Sequence, residues 1–103
     1  MSAITNHCQL CCEPGGEVVW SNSLARVVNV NDEDHPAFCR VILQWHVREM
    51  TDLSEPERSE LMRIVFAAEQ ARRNILEPDK INLACFGNIV AHLHWHVIPR
   101  FCL

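Results

Sequence analysis

The stretch Ala91-His92-Leu93-His94-Trp95-His96-Val97-Ile98-Pro99 decides how this chain is read. Histidine occupies every second position, with Leu93, Trp95 and Val97 between. Successive side chains of an extended strand point to opposite faces, so the alternation predicts a half-buried β-strand. One face would bury Leu, Trp and Val. The other would carry three imidazoles spaced about 6–7 Å apart. Imidazole is the side chain whose ordinary pKa lies nearest neutrality. Such a row suits metal binding, phosphate binding, nucleophilic attack or proton shuttling. Half of the chain's 6 histidines lie here, inside an apolar strand and not as a terminal contiguous tag.

Working outward, the pattern predicts four more strands and one helix. Glu17–Trp20 follows the Gly15-Gly16 turn, Leu24–Val30 alternates, and Phe38–His46 centres on Val41, Ile42 and Leu43. Asn31 to Pro36 reads as a polar loop. Ser54-Glu55-Pro56-Glu57 fits a capping box with proline in the first turn. Behind it Leu61, Ile64, Val65, Ala68, Ala71 and Ile75 recur at helical spacing, and Pro78 marks the stop. Ile81–Phe86 and Leu93–Arg100 complete the order βββαββ. This predicts an α+β fold: an antiparallel sheet of about five strands with one long helix packed on it. The last strand should be central, so its neighbours must come from the preceding strands or from a second subunit.

A chain of 103 residues suits one domain with a modest core. We read residues 1–103 as a single domain with an N-terminal arm over 1–16. The hydrophobic fraction of 49% and charged fraction of 21% fit a globular protein and exclude a disordered one. A net charge of −4 argues against a DNA or RNA polymer as partner. No apolar run approaches a membrane span, and the first residues lack the basic start and apolar core of a signal peptide. The 6 cysteines are therefore read as reduced thiols in the cytoplasm. Cys8-Gln9-Leu10-Cys11 has a metal or redox meaning, or none. The redox reading is weak, because Cys12-Glu13-Pro14-Gly15-Gly16 reads as a turn and not as a helix.

Two arrangements of the histidines stay open on the residues alone. All three could bind one zinc with a water in the fourth position. The first and third would lie four residue-rises, roughly 13 Å, apart along the strand, which strains a shell with bonds near 2 Å. A division of labour between metal or core and substrate fits the spacing better.

Gly87-Asn88-Ile89-Val90-Ala91-His92-Leu93-His94-Trp95-His96-Val97-Ile98-Pro99-Arg100 resembles the signature of the histidine triad superfamily, histidines alternating with apolar residues. It looks most similar to bacterial hydrolases of the diadenosine-tetraphosphate type. The resemblance implies a homodimeric nucleotide hydrolase or transferase. Its substrate would be a nucleoside 5′-phosphate, usually of adenosine, joined to a leaving group. It implies His94 as the nucleophile that forms a covalent nucleotidyl-histidine, with His96 and Asn88 on the phosphate. Asn82 would lie near the substrate, and Asn31, or Asp32 beside it, would hold the ribose hydroxyls. It also implies a structural zinc on Cys8, Cys11, His46 and His92. A nucleotide-binding module with little catalysis is the alternative.

The chain departs from the family pattern at two places. Pro36-Ala37-Phe38 stands where many members have Pro-Gly-His, with His35 out of register, and Ile89 replaces a hydroxyl residue. Cys39, Cys85 and Cys102 read as small buried hydrophobes, Trp20 and Trp45 as core or groove packing, and His7 as solvated.

Overall fold

The computed structural model describes residues 8–101. A one-turn helix, α1 (Gln9–Cys12), precedes β1 (Glu17–Ser21), β2 (Ala25–Asn29) and β3 (Cys39–Leu43). A 3-10 turn at Met50–Asp52 leads into α2 (Glu55–Leu76), then β4 (Lys80–Ala84) and β5 (His94–Arg100). The strands form one antiparallel sheet in the order β1-β2-β3-β5-β4. The expected α+β architecture is the observed one. β5 is an interior strand, and both neighbours, β3 and β4, belong to the same chain. His7 and Cys102 lie outside the described residues.

Helix α2 starts as the capping box requires. The Ser54 hydroxyl accepts from the Glu57 backbone N–H at 3.3 Å, and the Glu57 carboxylate accepts from the Ser54 N–H at 2.7 Å. Leu61, Ile64, Val65 and Ala68 form one buried cluster with Cys39, Val41, Leu43 and Val97 of the sheet and with Leu93 just before β5. The predicted stripe fails at its end, where Ile75 is 76% exposed. The physical reason is length. A helix of 22 residues spans about 33 Å at 1.5 Å per residue, twice the reach of a five-residue strand. Its last turns overrun the sheet. The chain leaves the helix through Glu77 in the left-handed conformation (φ 47°), one residue before Pro78.

Strand bounds shift most where a strand runs into the metal-ligand candidates. β3 ends at Leu43 and not at His46, because Gln44 turns away, its N–H donating to Leu24 O and its side-chain amide to Asn22 O. β5 starts at His94, so His92 and Leu93 precede the strand. β4 ends at Ala84, two residues short of Phe86.

Alternation along each strand sets two faces. Val41, Leu43 and Val97 face α2. Arg26, Val28, Arg40, Ile42, His94 and His96 share the other face, as the register pairs Arg40 with His96 and Ile42 with His94. There the N-terminal arm covers part of the sheet. Cys8 and Leu10 bury against Val28 and Ile42, with Val90 beside them. Arg26 anchors the arm by donating to Leu10 O (2.6 Å), Glu13 O (3.2 Å) and Pro14 O (2.9 Å). Gly15 permits the close approach: at φ +87° a Cβ there would lie 2.7 Å from Ile42 Cδ1.

Candidate metal cluster and phosphate site

His92 is fully buried and points to the arm. Its Nε2 donates to Leu43 O at 2.7 Å, which leaves Nδ1 as the nitrogen with a free lone pair. Nδ1 lies 3.3 Å from Cys8 Sγ and 3.4 Å from Cys11 Sγ. His46 Nδ1 lies 3.6 Å from Cys11 Sγ, and its ring meets the His92 ring edge-on at 5.4 Å. The four ligand atoms all fall within 4.8 Å of one another.

These distances can be tested against a metal shell. In a tetrahedral zinc site, bonds near 2.3 Å to sulfur and 2.0–2.1 Å to nitrogen put sulfur and nitrogen about 3.5 Å apart. The observed 3.3–3.6 Å separations match that edge. The carbonyl of Leu43 fixes the His92 tautomer, as a supporting partner of a ligating histidine does. Burial, first, and the neighbouring charges of His46, Arg26 and His94 lower the His92 pKa, which keeps the ring neutral as a ligand must be. Cys8, Cys11, His46 and His92 therefore form a cluster that could hold a metal ion. Cys12 is exposed and Cys39 lies elsewhere in the core, so neither joins it. The segment expected to be a turn after Cys11 begins one residue later, since Cys11 and Cys12 end α1.

His94 and His96 belong to a different place. They line a cavity of about 400 Å³ together with Arg40, Phe86, Gly87, Asn88, Ile89 and Val90. His94 Nδ1 donates to the His92 carbonyl at 2.6 Å. Nε2 is left unprotonated in the neutral ring. Burial is the first cause of a lowered His94 pKa, the hydrogen bond to His92 O opposes it, and the Arg40 charge adds to the lowering. His96 is pushed down to about 4 by burial, with His94 and Arg40 contributing. At neutral pH both imidazoles are neutral. Their rings meet edge-on at 4.9 Å.

The three imidazoles do not form an equivalent row. His92 precedes the strand and points to the arm's thiols, while His94 and His96 share the cavity. Asn88 joins them there, on the loop that bends at Gly87 (φ +81°). The other predicted contacts do not converge on this cavity. Asn82 shares the His96 face of the sheet, but its Oδ1 accepts from Arg100 Nε at 2.7 Å. Asn31 lines a second cavity, of about 310 Å³, with Asn29, Phe38 and Arg72. Asp32 is engaged in its own turn by His35 Nδ1 (3.2 Å) and the Asp34 N–H (2.9 Å). Those hydrogen bonds lower the Asp32 pKa. Phe38 stands between the two cavities: it borders the Asn31 cavity and stacks on His96 at 5.4 Å. Ala37 before it takes φ +63°, the left-handed conformation that favours glycine.

Sequence reasoning missed two arginines. Arg26 and Arg40 each interrupt an apolar strand on the site face, and that interruption was the available signal. Arg40 places its Cζ 5.6 Å from the Phe38 ring centre and lines the His94 cavity.

The HIT domain family matches residues 13–103. The chain belongs to the HIT domain family. Among solved structures, a histidine triad protein from Bradyrhizobium japonicum superposes with a TM-score of 0.82 at 26% identity, covering 96% of this chain and 72% of that one. A histidine triad protein from Marinobacter aquaeolei VT8 gives 0.77 at 25% identity, covering 85% and 64%. A Mycobacterium tuberculosis relative named AP-4-A phosphorylase is 29% identical over 99 residues, 90% of this chain and 50% of the relative. The chain therefore spans about half the length of the AP-4-A phosphorylase relatives it matches. The HIT family structures share its sheet and single long helix.

Proposed function

We propose that this HIT chain is a nucleotide hydrolase or transferase. It would cleave a nucleoside 5′-phosphate, adenosine being the first nucleoside to test, from its leaving group through a nucleotide carried on His94. One observation carries the reading: His94 Nδ1–H is committed to the His92 carbonyl, so Nε2 keeps its lone pair in a cavity shared with His96 and Asn88. Membership of the family and the relative's name, AP-4-A phosphorylase, support nucleotide chemistry in general.

The sequence of events balances as two displacements. The Nε2 lone pair of His94 forms an N–P bond to the α-phosphorus, and the P–O or P–N bond to the leaving group breaks with its electron pair. Water then attacks phosphorus, the N–P bond breaks, and the imidazole is restored as the nucleoside monophosphate departs with the water oxygen. Splitting one hard displacement into two lowers each barrier. His96 and Asn88 hydrogen-bond the phosphate oxygens as charge builds on them. Zinc on Cys8, Cys11, His46 and His92 would tie the arm to the sheet and supply no chemistry to these steps. The homodimer belongs to the same proposal, with β1 and β4 as the edges of the sheet open to pairing.

The test is direct. An adenylated substrate mixed with the protein and quenched without acid should leave a nucleotide on His94. Absence of an adduct, together with full turnover by His94→Ala, would overturn the reading. The stacking of Phe38 on His96 favours a second reading, a nucleotide-binding module with little catalysis. Calorimetry separates the two: tight AMP binding with negligible hydrolysis of any substrate selects the second.

A further inference from the structure

We propose that Arg40 is an anion-binding residue of the His94 cavity. It would hold the phosphate that leaves when His94 takes the nucleotide, and so favour phosphoanhydrides over phosphoramidates. The inference rests on the nucleotidyl-transfer reading above and names its substrate class.

In β3, Arg40 sits between Cys39 and Val41, both fully buried. A guanidinium there is costly to desolvate unless something meets its charge and its donors. Strand register puts Arg40 directly across from His96, on the face that carries His94. Its Nε is buried and has no hydrogen-bond partner among the described residues. The ion pairs found among the described residues join His35 to Asp32 and Arg63 to Glu60, and neither involves Arg40. Phe38 holds the head in place, since the guanidinium lies over a ring that itself stacks on His96. A fixed, charged, planar donor set thus borders the cavity that holds the nucleophile. Its fork matches phosphate oxygens.

The chemistry of departure sharpens this into a preference. When the N–P bond forms on His94, the leaving oxygen of an anhydride takes the bonding electron pair and departs as a phosphate anion. A guanidinium meets that added charge without giving up a proton, which it does not do at working pH. An amine leaving from a phosphoramidate instead needs a proton on nitrogen. Among the described residues, the lining of this cavity offers no carboxyl, hydroxyl or thiol side chain to supply it. Ile89, at the mouth, is 98% exposed and apolar.

The experiment compares wild type, Arg40→Gln and Arg40→Lys as full chains, each checked for folding by thermal melting. Substrates are diadenosine tetraphosphate and adenosine 5′-phosphoramidate, and pyrophosphate is the binding probe in calorimetry. Arg40→Gln should lose about 10²-fold in kcat/KM on the anhydride, the scale of one lost transition-state donor. Its loss on the phosphoramidate should stay within about threefold, and pyrophosphate affinity should fall about tenfold or more. Arg40→Lys, which keeps the charge, should recover part of both losses. Equal losses on the two substrates, or pyrophosphate binding that is undetectable in wild type or unchanged in Arg40→Gln, would overturn the proposal. If wild type turns over neither substrate and forms no His94 adduct, the nucleotidyl-transfer reading has failed. Pyrophosphate binding then decides the role of Arg40 alone.

Discussion

At the His92 end of the histidine run, both ring nitrogens are spoken for inside the protein: Nε2 by the Leu43 carbonyl, Nδ1 by the thiols of Cys8 and Cys11. Two and four residues later, His94 spends one nitrogen on the backbone and keeps the other, and His96 meets the Phe38, Phe86 and His94 rings beside an open cavity. Identical side chains two residues apart thus enter a structural clamp and a reactive pocket. The difference lies in where the strand begins. His92 is still in the loop, close to the arm that Arg26 holds down, whereas His94 and His96 obey the two-residue alternation of β5.

Substitutions at the two ends should separate most sharply in activity. His94→Ala should lower turnover on the order of 10³-fold or more, the scale seen when a covalent nucleophile is removed. Metal content should be unchanged, as elemental analysis of the purified variant would show. A parallel loss of metal would merge the two regions into one.

Next in size comes the clamp. Removing a bound zinc with a chelator, or by Cys8→Ser, should cost about 3–4 kcal/mol of stability if the ion is present at many times its dissociation constant. For a chain of this length that is a fall in Tm of more than about 10 °C by calorimetry. Turnover per folded molecule should drop less than about threefold at a temperature where the variant remains folded. A collapse of activity with intact folding would place chemistry at the clamp.

The pH response sharpens the pocket side. Burial, first, pushes His96 down to about 4 in the folded protein from the ordinary 6.5 of an unfolded chain. Between those values the unfolded chain binds the extra proton, so His96 lowers stability as pH falls from about 6.5 to about 4. Above that window it contributes no slope. The groups facing it, Arg40, His94, Phe38 and Phe86, oppose or do not assist its protonation. His96→Gln should therefore flatten the acid limb of a plot of Tm against pH. An unchanged slope would show that His96 is more open to water than its burial implies.

The smallest effect is expected at the wall of the pocket. Ala37 holds φ +63°. Relieving that strain with Ala37→Gly, less the extra entropy of glycine, should stabilise the protein by a few tenths to about 1 kcal/mol. Chemical denaturation would detect it, and a destabilised variant would mean that the Ala37 methyl packs usefully beside Phe38.

How much was legible before the structure depended on how local each signal was. The capping box at Ser54, the stripe of α2 and the alternation of β5 are short-range, and each was placed within about two residues of its observed position. Ile75 was misread because periodicity carries no information on where a sheet ends. The separation of Asn31, Asp32 and Asn82 from the His94 cavity was equally hidden. Each has its side chain or surroundings fixed by a partner elsewhere, Arg100 for Asn82 and His35 for Asp32, and by Phe38 standing between Asn31 and His96. Arg40 was overlooked because a lone charge in an apolar strand has no meaning until its cross-strand neighbour is known.

By itself the sequence determined the element order, the helix start, the two-residue period that puts His94 and His96 on one face, and the residue types able to bind metal or phosphate. These depend on backbone periodicity and side-chain chemistry, which are properties of neighbouring residues. Only the tertiary structure decided that the His92, His46, Cys8 and Cys11 ligand atoms meet within 4.8 Å, that β5 lies between β3 and β4 of one chain, and that Arg40 faces His96. Those outcomes depend on strand register and on the packing of the arm against the sheet, where residues as far apart as Cys8 and His92 come within 3.3 Å.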